Sequence, residues 1–293
     1  MFEYIVQQLI NGISIGSIYA LIALGYTMVY GIIKLINFAH GDVFMVGAFV
    51  GYFAAKAGLG LFWSLILAMA VCAILGVLIE RLAYRPLRGA ARIVILITAI
   101  GVSFLLENLG IYALGPQAKG FPEIVTKTQY TLFGDVTINS VQIIVLAVTV
   151  ILMVLLQYVV HKTKMGKAMR AVSYDMEAAR LMGINVDTTI SFTFAIGSAL
   201  AGAAGVVFAV MYPSVDPLMG IIPGLKAFVA AVLGGIGIIP GALVGGLVLG
   251  IVETGVSSAG FSLWRDGAAF AILILILIFK PSGLFGKNVR EKV

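Results

Sequence analysis

Few side chains in this chain could do covalent chemistry. Its 293 residues include one cysteine, Cys72, and two histidines, His40 and His161, too few to assemble a zinc site or a Cys–His pair. Cys72 lies alone in an apolar run, which predicts packing and permits no intramolecular disulfide. The phosphate-cradling pattern G-x-x-x-x-G-K-[ST] is missing. Gly286-Lys287-Asn288 lacks the upstream glycine and the hydroxyl residue, and Gly166-Lys167-Ala168 fails likewise. The expectation is a chain with no catalytic residue, no metal site and no cofactor. Any nucleotide that drives it would bind another subunit.

What remains are polar groups set in apolar sequence: Asn37, His40 and Asp42, Glu107 and Asn108, Lys226, and Glu253. At membrane depth such groups cost about 2.5–3.5 kcal/mol each, so each asks for a partner or a wet cavity. Asn37, His40, Glu107, Asn108 and Glu253 are therefore the candidates to line a path or gate. Each also has a plainer reading. Asn37 to Asp42 could be an interfacial turn, with Asp42 capping the next helix. Glu107 and Glu253 could lie near headgroups, His40 could be a hydrogen-bonded structural histidine, and His161 could join a basic cluster.

The most informative polar stretch is 161–188, HKTKMGKAMRAVSYDMEAARLMGINVDT. Asp175 is an N-cap candidate, Glu177 falls in the first turn where the helix dipole favours a carboxylate, Arg180 falls near the end, and Gly183 supplies a stop. This predicts a helix roughly 10 Å long. One so short is marginal alone in water, so the rest of the chain or a docked partner must hold it.

The elements that position these groups follow from composition. The chain is 61% hydrophobic and 11% charged, with a mean hydropathy of +1.11. Soluble chains run at roughly 45–50% apolar and about 25% charged, so the surface must face lipid. Apolar runs near 7–30, 42–57, 61–80, 93–114, 141–160, 189–211, 224–238, 240–258 and 267–280 predict an all-α polytopic membrane protein. About nine transmembrane helices are expected, with eight to ten possible, in a single membrane domain over 1–293. The run at 224–238 is short, glycine-rich and ends at Pro240, as a broken or re-entrant helix would. Gly25 to Gly41 and Gly234 to Gly246 are the two interrupted segments, and interruptions in corresponding halves can mark a substrate path.

A net charge of +6 could suggest nucleic acid, but the basic residues cluster just past the ends of apolar runs. Segment 81–92 holds Arg81, Arg85, Arg88 and Arg92. Segment 162–180 holds Lys162, Lys164, Lys167, Arg170 and Arg180, and the tail holds Lys280, Lys287, Arg290 and Lys292. Nine spans put all three on one side, the cytoplasm by the positive-inside rule. The N-terminus is then outside, with Met1-Phe2-Glu3-Tyr4 opening a retained first span rather than a signal peptide. The loop 114–140 is the longest outside, and Trp63 and Trp264 sit at outer span ends. Small residues recur at four-residue spacing in Gly12 and Gly16, in Gly197, Ala201 and Gly205, in Gly241 and Gly245, and in Gly246 and Gly250. Such ridges permit close helix packing, within the bundle or at a dimer seam.

Glu177-Ala178-Ala179-x-x-x-Gly183 resembles the E-A-A-x-x-x-G loop of ABC importer permeases. Around it stand Leu24-Gly25-Tyr26-Thr27-Met28-Val29-Tyr30-Gly31, Ile36-Asn37-Phe38-Ala39-His40-Gly41-Asp42, Glu80-Arg81-Leu82-Ala83-Tyr84-Arg85-Pro86 and Ala230-Ala231-Val232-Leu233-Gly234-Gly235-Ile236-Gly237. Together these resemble the LivH-type permease of branched-chain amino-acid importers over nearly the whole chain. The exterior loop around 114–140 matches no pattern of that family. The resemblance implies two permeases and two ABC ATPase subunits, fed by a periplasmic substrate-binding protein, in a bacterial inner membrane. It also implies a coupling role for Asp175, Glu177, Ala178, Ala179, Arg180 and Gly183. The substrate would be a branched-chain amino acid, with urea or short amides as alternatives within the family. An ion-coupled secondary transporter is the competing class, and a membrane enzyme lacks a nucleophile or metal cluster. No nucleic-acid partner is expected.

Overall fold

The computed structural model describes residues 1–286; Lys287, Arg290 and Lys292 of the basic tail lie outside the described residues. All nine apolar runs are helical. They form α1 (Phe2–Ile33), α2 (His40–Lys56), α3 (Leu61–Ile79), α4 (Arg92–Leu114) and α5 (Ser140–Lys162), then α8 (Val186–Met211), α9 (Ile221–Gly234), α10 (Ile239–Ser258) and α11 (Arg265–Phe279). Between α5 and α8 lie two short polar helices, α6 (Lys164–Tyr174) and α7 (Met176–Leu181). Among the described residues, seven helices are long and apolar enough to cross a membrane, α11 among them once the 3-10 turn Ser262–Trp264 that leads into it is included. The two that fall short are α2, with 17 residues, and α9, with 14.

Burial sorts the helices into layers. α1 is apolar on all sides and is enclosed from Ile15 to Val29, as a helix without a polar face must be. Its serines cost little there, because Ser14 and Ser17 donate to the carbonyls of Ile10 and Ile13 at 2.8 and 2.7 Å. α8 is the second central helix. By contrast α3, α4, α5 and α11 expose Ile74, Ile97, Leu155 and Ile278, and such apolar outer faces suit lipid.

The glycine ridges resolve into contacts within this chain. A Cβ on Gly16 would lie 2.8 Å from the Gly246 carbonyl oxygen and from Leu247 Cα, and one on Gly12 would lie 2.8 Å from Ile251 Cα. The Gly12/Gly16 ridge of α1 therefore rests on the Gly246/Gly250 ridge of α10. Gly205 packs on α2, Gly197 on Gly25 of α1, and Gly241 and Gly245 on α9. With no hydrophobic drive between helices in lipid, this close backbone approach is what holds them.

The two interruptions are shorter than the sequence suggests. α1 continues through Gly25 and Gly31 and stops where Lys34 takes a left-handed conformation, φ 54°, its N–H bonding the Tyr30 carbonyl. Residues 34–39 then fold back, so α2 begins beside Gly25, well inside the end of α1. The second break is confined to 235–238, between α9 and α10.

The segment 114–140 is more ordered than its composition implies. β1 (Lys119–Gly120) pairs antiparallel with β4 (Ser214–Val215), and β2 (Gln129–Phe133) forms a hairpin with β3 (Val136–Asn139) around Gly134-Asp135. The hairpin rests on the start of α1, where Gln7 accepts a bond from the Thr137 N–H at 2.8 Å. The start of α1, the end of α8, the start of α11 and both tryptophans thus share one end of the bundle. Segments 81–92 and 162–188 share the other, joined where Arg85 and Arg88 pair with Asp187.

Candidate functional site

The first candidate region is the polar end at α6 and α7. Thr163 caps α6, accepting from the Gly166 N–H at 3.0 Å, and Met169 and Val172 anchor that helix in the core. Asp175 ends α6 and caps α7, accepting from the N–H groups of Glu177 and Ala178 at 2.8 and 2.9 Å. At the far end Gly183 adopts φ +80°, with Gly183 N–H bonding Arg180 and Ile184 N–H reaching back to Ala179. That is the glycine C-terminal stop. Ala179 faces inward, whereas Tyr174, Glu177, Ala178, Arg180, Leu181 and Met182 face outward. Tyr174, Leu181 and Met182, at the end of α6 and the end of α7, are 96, 89 and 82% exposed, large apolar groups at a helix too short to stand alone. The helix α6 was not separated from its stretch in the sequence, although Thr163 and the buried spacing of Met169 and Val172 were available to reveal it.

Beside this end lies a network that sequence reasoning missed. After α3 the chain forms a π-helical turn over Glu80–Tyr84. Glu80 is fully buried, pairs with Arg88 and accepts from Ser191 Oγ at 2.6 Å. Arg88 and Arg85 also hold Asp187 at 2.5 and 2.6 Å. Residues 80–88 are thereby tied to the first turn of α8, directly after α7. Asn37 belongs to the same end, because its Oδ1 accepts from Tyr84 O–H at 3.0 Å.

The path candidates do not converge on one place. His40 is buried against Gly25, and its ring lies 4.6 Å from that of Tyr26 between centroids. Asp42 does not cap α2. It stands inside the first turn and its carboxylate instead accepts from Ser103 on α4. Asp42, Ser103 and Glu107 line a cavity of about 220 Å³, where the first turns of α2 and α9 meet at Gly41, Gly220 and Gly224. Glu107 is thus turned inward and nearly buried. Asn108 is not with it: it is exposed on the outer side of α4 and donates to the Phe104 carbonyl of its own helix at 2.8 Å.

Glu253 lies in the strongest electrostatic feature of the bundle. Its carboxylate meets Lys226 Nζ at 2.8 Å and accepts from Tyr19 O–H at 3.0 Å. Lys226 Nζ also contacts Asp266 at 2.6 Å, and Arg265 Nε lies 3.9 Å from Glu253 and 3.6 Å from Asp266. α1, α9, α10 and α11 each supply a group, and Lys226 and Glu253 are almost fully buried. Two open chambers of about 370 and 410 Å³ flank the cluster at the end that carries the chain's start. The sequence singled out Glu253 and Lys226 separately. Arg265, Asp266 and Tyr19 were missed, since each is unremarkable at a helix end or within an apolar run.

A lipid-faced helical bundle with charges buried beneath an open vestibule, and a polar helical pair at the other end, is a membrane transport subunit. Residues 8–278 match the family described as branched-chain amino acid transport system / permease component, and the chain belongs to that family. It is 43% identical to the high-affinity branched-chain amino acid transport system permease protein LivH of Escherichia coli, covering 100% of this chain and 99% of that one. It is 42% identical to BraD, the corresponding permease protein of Pseudomonas aeruginosa, over the same shares. A probable branched-chain amino acid transport permease of Methanocaldococcus jannaschii is 31% identical over 92% of this chain and 89% of its own length.

Proposed function

We propose that this permease forms half of the translocation path of an ATP-driven importer for branched-chain, hydrophobic amino acids. ATP hydrolysis resides in separate ABC ATPase subunits that seat on α6–α7. A second permease, identical or homologous, completes the path, and a periplasmic binding protein delivers substrate to the vestibule end. The basic segments support a reading with α6–α7 in the cytoplasm and the chain's start outside the inner membrane.

The observation that carries this reading is α7. It is capped at both ends, exposes Leu181 and Met182 beside the exposed Tyr174 that ends α6, and runs through residues 182–185 directly into the central helix α8. A partner gripping those apolar side chains would move α8, and the Glu80–Arg88–Asp187 network would carry residues 80–88 along with it. Asp175, Glu177, Ala178, Ala179, Arg180 and Gly183 act together as this element, two as caps and the others as its body. In reconstituted transporter, Glu177→Lys and Gly183→Val are expected to leave insertion intact and to break the link between uptake and hydrolysis. Wild-type coupling in both variants would remove α7 from this role.

The buried Lys226–Glu253 pair is what favours an ion-coupled secondary transporter instead, because ionisable groups in the membrane often mark ion paths. Uptake by the complete assembly that persists after ion gradients are collapsed and stops without ATP decides for the importer. Urea or a short amide in place of the amino acid would appear in the same assay as a different accumulated solute.

A further inference from the structure

The outer chamber beside Lys226 combines features that suit one ligand class. Its lining includes the apolar Ile15, Phe208, Met219 and Ile222, the cations Lys226 and Arg265, and Asp216, which follows β4. Lys226 is already matched by Glu253 and Asp266 at 2.8 and 2.6 Å. Arg265 differs. Its side chain is 45% exposed and its Nε stays 3.9 and 3.6 Å from the two carboxylates, beyond direct hydrogen bonding. A planar guanidinium with donors to spare is the group suited to a carboxylate. Asp216 engages the Leu218 N–H with one oxygen at 3.0 Å, and its negative charge stands in the same chamber.

A neutral hydrophobe would leave the spare donors of Arg265 and the charge of Asp216 unused, and a small ion would leave the apolar lining wet. We propose that this chamber binds the zwitterion of a free aliphatic α-amino acid. Arg265, backed by Lys226, holds the α-carboxylate; Asp216 faces the α-ammonium; the side chain lies on Ile15, Phe208, Met219 and Ile222. This rests on the importer reading and adds that the permease itself, not only a soluble partner, selects the substrate's charged end.

The test is binding of radiolabelled leucine to the purified permease–ATPase assembly without the binding protein. Competitors are isoamylamine, which lacks the carboxylate, and 4-methylpentanoate, which lacks the amine. Leucine is expected to bind at least about tenfold more tightly than either analogue, since each lost charge-assisted bond is worth that much. Arg265→Gln should lower leucine binding to the level of isoamylamine while leaving isoamylamine unchanged, a split that general disruption would not produce. Ile222→Trp, which narrows the apolar wall, should weaken leucine and spare glycine. Equal binding of leucine and its analogues, full leucine binding by Arg265→Gln, or equal loss of leucine and isoamylamine in that variant would each overturn the proposal. ATP hydrolysis stimulated by the loaded binding protein, measured on the same sample, reports on the importer reading separately.

Discussion

Lys226 shows how much a single buried charge depends on its partners. Removing it would leave Glu253 enclosed without its cation, at a cost of about 3–5 kcal/mol for a broken buried pair. Asp266 is half-exposed, so water would screen it and it adds little. Lys226→Ala is therefore expected to lower the thermal midpoint of the detergent-purified protein. The double variant Lys226→Met, Glu253→Met should recover most of the loss, because two apolar groups owe no desolvation. Equal midpoints for the single and double variants would show that the pair is not what holds α9 to α10. Glu80 is the matching case at the other end, and its network could not have been found from sequence, since Ser191 and Asp187 lie far along the chain.

At the scale of elements, α7 and the α1–α10 contact behave in opposite ways. α7 is local: its cap and stop lie within a few residues, and Asp175→Ala should cost about 1 kcal/mol. That loss should appear as faster amide exchange confined to 176–182 and as weaker ATPase coupling, with the bundle unaffected. The α1–α10 contact is global. A Cβ on Gly16 meets backbone at 2.8 Å, which cannot move aside as a side chain can. Gly16→Leu is therefore expected to abolish the folded protein, judged by recovery in size-exclusion chromatography after solubilisation. The mirror substitution at Gly58 has open space around it but a φ of +82°, so its cost would be conformational and far smaller.

For the whole molecule, the arrangement of ends makes a direct prediction about sidedness. Cys72 is buried, so cysteines introduced elsewhere can be read against a quiet background. Cysteine at Tyr130 or Trp264 should react with a membrane-impermeant maleimide in intact spheroplasts, and cysteine at Leu181 only after lysis. Labelling of Leu181→Cys from outside would invert the topology and end the ATPase-docking reading.

Read alone, the sequence established that this chain lives in a bilayer, roughly where each apolar helix would run, and how α7 begins and ends. Those properties depend on hydropathy and on capping groups within a turn or two of each other, so they are written in neighbouring residues. Only the packed fold decided which glycine ridge meets which, that Asp42 bonds Ser103 rather than capping α2, that Asn108 turns away from Glu107, and that Lys226, Glu253, Arg265, Asp266 and Tyr19 form one cluster. These depend on helix rotation and on partners brought together from distant parts of the chain, and apolar helices of such uniform composition carry almost no local signal of which face turns inward.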